Sequence, residues 1–188
     1  MAEFDKAHNL TAKIEGGYVN DPQDKGGETY KGIARKYHSN WAGWIIIDEY
    51  KKDHQLKRND VIRDEQLEFL TLLFYREKFW DVNRLDGLDN QDVANEIYDT
   101  GVNMGTRTAA KMLQEALNLL NRNEKDYRDL AVDGKIGTIT LSKTNIFCRK
   151  YPQVLLKTLN GLQFMRYVEI CKKNPAQERF FRGWLLRV

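Results

Sequence analysis

Apolar residues recur at three- and four-residue spacing along most of the chain, and two-residue alternation is scarce. Phe4, Ala7, Thr11 and Ile14 predict a helix over 2–15, which Gly16 and Gly17 then end. Ile33 and Tyr37, four apart, predict a short helix over 30–38, and another is expected over 42–52. Leu67, Leu70, Leu73 and Phe74, continued by Phe79 and Trp80, predict a helix over 64–80 with Asp64 as its N-cap. Asn90 is placed to cap a helix carrying Val93, Ala94, Ile97 and Tyr98. Residues 99–105, punctuated by Gly101 and Gly105, read as its terminal turn. Ala109, Leu113, Ala116, Leu117 and Leu120 mark a helix over 106–120. Residues 121–130 lack any apolar period and read as a loop. Val132 to Gly137 is a glycine turn before a helix capped by Thr138 or Thr140, and two more helices fit 153–173 and 175–186. With only three prolines, long helices are permitted nearly everywhere. The predicted class is mainly α, with a small hairpin as the one β element to be expected, in the loop 18–30.

Residues 16–29 break this pattern. They hold four glycines, a proline, Asn20 and two aspartates, which is loop composition. The loop is also where the chemistry concentrates. Glu15 ends the first helix, facing the negative end of the helix dipole, which disfavours its charged form. A cleft wall that removed water would raise its pKa further and let it deliver a proton near neutrality. The plainer alternative is a solvated surface glutamate. Asp24, nine residues on, can orient water, steady an oxocarbenium ion or attack it; it can equally form an Asx-turn. Thr29 can hold the water or cap the helix that follows. Gly26 and Gly27 let a bulky substrate approach the backbone, or supply positive φ.

Composition removes several other readings. The formal net charge of +3 is spread through residues of both signs, so no nucleic-acid surface is implied. No apolar run reaches the roughly 18 residues of a membrane helix. Cys148 and Cys171 are the only cysteines, and His8, His38 and His54 are scattered, so no zinc site is expected and free thiols are. Asn20, Asp21 and Asp24 are oxygen donors, but the order of a calcium-binding EF-hand loop is absent, as are a phosphate loop and a serine nucleophile elbow. No secretory signal is visible. Synthesis in the cytoplasm is therefore expected, and if the protein acts outside, something else must export or release it.

Glu15-Gly16-Gly17-Tyr18, Asn20, Asp24, Gly26-Gly27, Thr29 and Gly32-Ile33 resemble the signature of glycoside hydrolase family 108, N-acetylmuramidases with a lysozyme-like, α-rich fold. The resemblance implies cleavage of the β-1,4 bond after N-acetylmuramic acid in peptidoglycan, with Glu15 at the position of the catalytic glutamate. The Glu-to-Asp interval is that of phage lysozymes, whereas the Asp-to-Thr interval is one residue shorter. Asp99, Val102, Asn103 and Gly105 resemble the family's second cleft segment. From about residue 131, Val132-Asp133-Gly134, Gly137 and the closing Phe181, Gly183, Trp184 and Arg187 resemble the predicted peptidoglycan-binding segment that follows these hydrolases.

The resulting expectation is a lysozyme-like catalytic region over 1–125 and a helical peptidoglycan-binding region over 126–188. Glu15, Asp24 and Thr29 are the catalytic candidates. Tyr18, Asn20, Gly27, Tyr30, Asp99 and Asn103 are the candidate sugar contacts, along a cleft bordered by 15–30 and 99–105. No metal or organic cofactor is called for, because two carboxyls suffice for glycoside hydrolysis. The partner is a peptidoglycan glycan strand, with no nucleic acid and no membrane insertion, and the expected state is a monomer. Two alternatives stay open: a lytic transglycosylase using the same glutamate, and a non-catalytic wall-binding or secretion-associated protein.

Overall fold

The computed structural model describes residues 1–11, 16–20 and 27–188. The chain forms two compact units, one of Leu10–Glu77 and one of Met1–Asn9 with Lys78–Val188. The fold is mainly α and lysozyme-like, with one small antiparallel sheet. The first helix, α1, covers Phe4–Thr11. Its expected continuation over 12–15 lies outside the described residues.

In the first unit β1 (Tyr18–Asn20), β2 (Glu28–Tyr30) and β3 (Ile33–Ala34) form the sheet, in the order β1-β2-β3. Tyr18 pairs with Tyr30 and Asn20 with Glu28, so the hairpin expected in this loop is present. The helix expected over 30–38 is not. Tyr30 pairs with Ile33 across a two-residue turn in which Lys31 (φ 43°) and Gly32 (φ 78°) are both left-handed. Two positive φ values match the right-handed twist of a tight hairpin. Ile33 is buried by this pairing, so its spacing to Tyr37 imitated a helix face.

Gly17 explains part of the glycine signature. A Cβ there would lie 2.4 Å from the Asp60 carbonyl oxygen and 2.5 Å from that of Asn59. The same turn hydrogen-bonds β1: Tyr18 N–H donates to Asp60 O (2.8 Å) and Asn59 N–H to Tyr18 O (2.8 Å). Helices α2 (Gly43–Asp53) and α3 (Glu65–Tyr75) complete the unit. Asp64 caps α3 as expected, its carboxylate accepting from Leu67 N–H at 2.7 Å. The chain then runs through a π-helical turn, Arg76–Trp80, where α-helix was expected.

In the second unit Asn90 caps α4 (Gln91–Met104), accepting from Val93 N–H at 3.0 Å. Residues 99–104 are helical, which corrects the turn expected there. A mid-helix glycine costs only about 1 kcal/mol, and the buried face of Val93, Ala94, Ile97 and Tyr98 carries Gly101 with it. The break comes at Gly105, with φ 89°. Helix α5 (Thr106–Leu119) buries the expected stripe of Ala109, Leu113, Ala116 and Leu117. Helix α6 (Thr138–Cys148) starts from Gly137 without a side-chain cap. Thr138 is its first residue and Thr140 lies buried within it, so neither threonine caps it. Helix α7 (Pro152–Lys173) opens on a proline, whose missing N–H is no loss at that position. A short α8 (Glu178–Trp184) is flanked by single 3-10 turns.

The polar stretch 121–130 is a loop, pinned by Asn118, whose amide both donates to and accepts from the Leu130 backbone at 2.8 Å. The boundary expected at 125/126 falls in this loop, whereas the compact units are divided elsewhere. Cys148 and Cys171 are free and buried, and burial pushes the Cys148 thiol up to about 11. No described helix is long and apolar enough to cross a membrane.

Candidate active site

Glu15 and Asp24 fall on 12–15 and 21–26, outside the described residues. What the structure describes is the frame on either side of them. The second flank of the expected cleft, 99–105, belongs to the other compact unit, so each flank is taken by itself.

On the hairpin, Gly27 is left-handed (φ 64°), with no atom within 4 Å of where a Cβ would stand. The position therefore needs glycine for its conformation, not for lack of room. Thr29 sits mid-strand, half-buried, and its hydroxyl donates to Gly27 O at 3.3 Å. No helix follows it to be capped. Asn20 is exposed at the end of β1. Tyr30 has no exposed surface; its hydroxyl accepts from Ile62 N–H at 3.2 Å and donates to Ile62 O at 3.4 Å. Tyr30 thus holds the hairpin to the chain around Ile62.

Tyr18 leads to a residue that was not among the candidates. Its hydroxyl donates to Glu28 Oε1 at 2.8 Å, and burial followed by that carboxylate raises the phenol's pKa. Glu28, 13% exposed at its side chain, is ion-paired with Arg35 (2.8 Å) and Lys51 (2.7 Å). Arg35 grips Asp48 through two hydrogen bonds, 2.6 and 3.1 Å, and its guanidinium lies 4.4 Å over the Trp44 ring. The bonds from Arg35 hold Asp48 below the usual carboxylate range. Tyr18 and Lys51 line one side of a 400 Å³ cavity completed by residues 52–56. Glu28 was hidden by the loop composition around it; its pairing with Asn20 in the hairpin register is the signal that could have found it.

On the other flank Asp99 and Asn103 stand one turn apart on α4. The Asn103 amide donates to Asp99 O (2.8 Å) and Asp99 Oδ2 (3.1 Å). Arg187, 7% exposed at its side chain, donates to Asp99 Oδ1 at 2.7 Å. Asp99 is thus tied inward to the chain's closing turn, while Asn103 stays exposed. Beneath them is a second unforeseen glutamate. Glu96 is 8% exposed, and burial, followed by the nearby Asp99 charge, raises its pKa to about 7. It accepts from the Thr100 hydroxyl (3.2 Å), which in turn accepts from Gln163 Nε2 (3.1 Å). The Gln163 Oε1 and Tyr167 hydroxyl atoms are also buried. Trp184 stacks on Tyr167 with centroids 5.0 Å apart, which gives this aromatic a packing role. Glu96 falls at helical spacing from Val93 and Thr100, on the buried face of α4, and that spacing is a signal in the sequence.

The Asp133-Gly134 turn is clipped to α5. The Gln114 amide donates to Asp133 Oδ1 (2.8 Å) and Lys135 O (3.0 Å), and Gly134 N–H donates back to Gln114 Oε1 (2.9 Å). Among the described residues no group of His, Cys, Asp or Glu is arranged to hold a metal ion.

Comparison with known proteins agrees with this architecture. Residues 8–105 match the family described as glycosyl hydrolase 108, and residues 108–188 match the predicted peptidoglycan domain. A search of curated proteins returns no match. Among solved structures, that of SagA from Brucella abortus aligns over 98% of this chain and 88% of its own, with 24% identity and a TM-score of 0.60, a likeness of fold. Hydrolase segment and wall segment together define a glycoside hydrolase that acts on peptidoglycan. The chain belongs to the glycosyl hydrolase 108 family.

Proposed function

We propose that the chain is an N-acetylmuramidase, cleaving the β-1,4 bond between N-acetylmuramic acid and N-acetylglucosamine. The observation that carries this reading is the succession of a glycosidase match and a peptidoglycan match along one chain. Glu15 is the general acid: its proton goes to the glycosidic oxygen as the bond to the muramic C1 breaks. Asp24 steadies the positive charge that develops on the ring or orients the incoming water. Thr29, whose own proton is directed to Gly27 O, has its oxygen lone pairs free to accept from that water. Water adds to C1, and its second proton leaves to the site's carboxylates. On the hairpin the exposed Asn20 is a candidate polar contact for a sugar, with Tyr18, Gly27 and Tyr30 framing it; on α4, taken by itself, the exposed Asn103 is another, held by Asp99. The protein works as a monomer and reaches the wall after release or non-standard export.

Mass analysis of fragments released from purified sacculi tests the reading. Hydrolysis adds one water per cut and leaves reducing muramic ends; an anhydro product identifies a transglycosylase, and binding without fragments a wall-binding protein. Glu15→Gln is expected to lower turnover by about a thousandfold or more, the loss of a general acid, with melting unchanged. Wild-type clearing of sacculi by that variant removes Glu15 from the mechanism. Asp24→Asn is expected to cost less, about ten- to a hundredfold; unchanged turnover returns Asp24 to the turn.

A further inference from the structure

A 480 Å³ pocket opens in the second unit where the two family matches meet. Arg84 and Arg107 come from the hydrolase side and the junction, and Lys135 from the peptidoglycan-domain side. None of the three is in an ion pair among the described residues. The acid in the lining, Asp133, has its Oδ1 occupied by the Gln114 amide and by Lys135 N–H (2.9 Å), bonds that hold its carboxyl below the usual range. Three cations therefore face one committed carboxylate. Val82 and the buried Ile136 give the pocket an apolar lining.

The backbone is shaped to this arrangement. Gly134 (φ 76°) lies under Arg107, so that a Cβ would stand 2.6 Å from Arg107 Cγ. Arg84 is held left-handed (φ 52°), a conformation that costs a non-glycine residue energy and that clusters at ligand sites. Unpaired guanidinium and ammonium groups beside apolar surface select an organic anion, since Arg forms bidentate bonds with carboxylates. In peptidoglycan the free carboxylates are on the stem peptide, next to the short aliphatic side chains of its alanines, because the lactyl carboxyl of the muramic sugar is taken up in the amide bond to that peptide.

We propose that this pocket binds a carboxylate of the stem peptide, so that the protein reads the peptide as well as the glycan. The proposal rests on the peptidoglycan reading above, and it specifies a part of the substrate that the glycosidase chemistry does not touch. Its role is to hold the strand by the stem.

The test titrates a soluble disaccharide-tetrapeptide into the full chain, following the Arg84 and Arg107 side-chain NMR signals. The free-acid ligand is compared with the same compound amidated at its carboxylates. The free acid is expected to bind at least about tenfold tighter, the loss of one charge-assisted contact, and to weaken as salt is raised. Arg107→Gln/Lys135→Gln is expected to lose that preference, and Arg107→Lys/Lys135→Arg to keep most of it. Equal binding of the free and amidated ligands overturns the proposal without recourse to any variant. So does a double Gln variant that retains the preference, or poly(glycerol phosphate) displacing the muropeptide at lower concentration. Sacculus cleavage is followed in parallel. Cleavage without carboxylate preference removes the pocket and leaves the muramidase; carboxylate preference without cleavage removes the muramidase and leaves the pocket.

Discussion

Glu28 and Glu96 are withdrawn from water to similar degrees, each in its own compact unit, yet they are handled in opposite ways. Glu28 has two cations and a phenol within 2.8 Å. Glu96 has one hydroxyl and a neighbouring aspartate. The first is an ion-pair hub that ties β2 to Arg35 and to α2. The second is a carboxyl pushed toward its neutral form. Burial alone does not decide the state of a buried acid; the partners supplied with it do.

The comparison can be broken by substitution, and Glu96 gives the largest expected effect. Its folded pKa of about 7 lies above the 4.5 of an ordinary glutamate. The folded state therefore binds the proton more tightly than the unfolded one. The stability this confers is complete below pH 4.5 and is lost as pH rises through 7, by on the order of 3 kcal/mol. Glu96→Gln keeps the acceptor for Thr100 and removes the titration. The variant is expected to match the native protein near pH 4.5 and to exceed it by roughly that amount at pH 8, read by denaturant unfolding. An unchanged pH slope would show that Glu96 is not the buried acid.

Glu28→Gln should do the reverse. Removing the hub's charge leaves Arg35 and Lys51 facing each other, with Asp48 as the remaining counter-ion. A loss of about 2 kcal/mol at neutral pH is expected, below the range for a fully buried pair because both cations keep a third of their surface. The smallest effect on the pH slope belongs to Arg187→Met, which takes one partner from Asp99; with these side chains only 7% and 15% exposed the loss of stability is expected to be about 3 kcal/mol, without removing the pH slope set by Glu96. A loss of slope there would place Arg187, not burial, in control of Glu96.

What was legible in the sequence was what is fixed locally. Asp64 and Asn90 are caps whose bonds close within three residues, and the α5 stripe is written in four apolar positions. The second hairpin turn was illegible because Lys31, a residue with no preference for positive φ, occupies one of its two left-handed positions. Helix α4 extends past its predicted end because buried neighbours outweigh the penalty of Gly101. The eleven specified positions from 15 to 33 revealed the family, whereas Glu28 draws its character from a hub that folding assembles with Arg35 and Lys51, and Glu96 from its burial. Glu15 and Asp24, read from spacing and resemblance, are to be tested by their own substitutions.

Gly17 bears on how such signatures are used. Its missing side chain makes room for the Asn59–Asp60 backbone, a requirement of folding that would persist in a descendant that had abandoned chemistry altogether. A retired copy would still display the glycine pair and still be recruited into the family by it. Sorting working enzymes from such relics must therefore turn on substitution of the acids proposed for catalysis, at 15 and 24, with Gly17 treated as testimony about architecture.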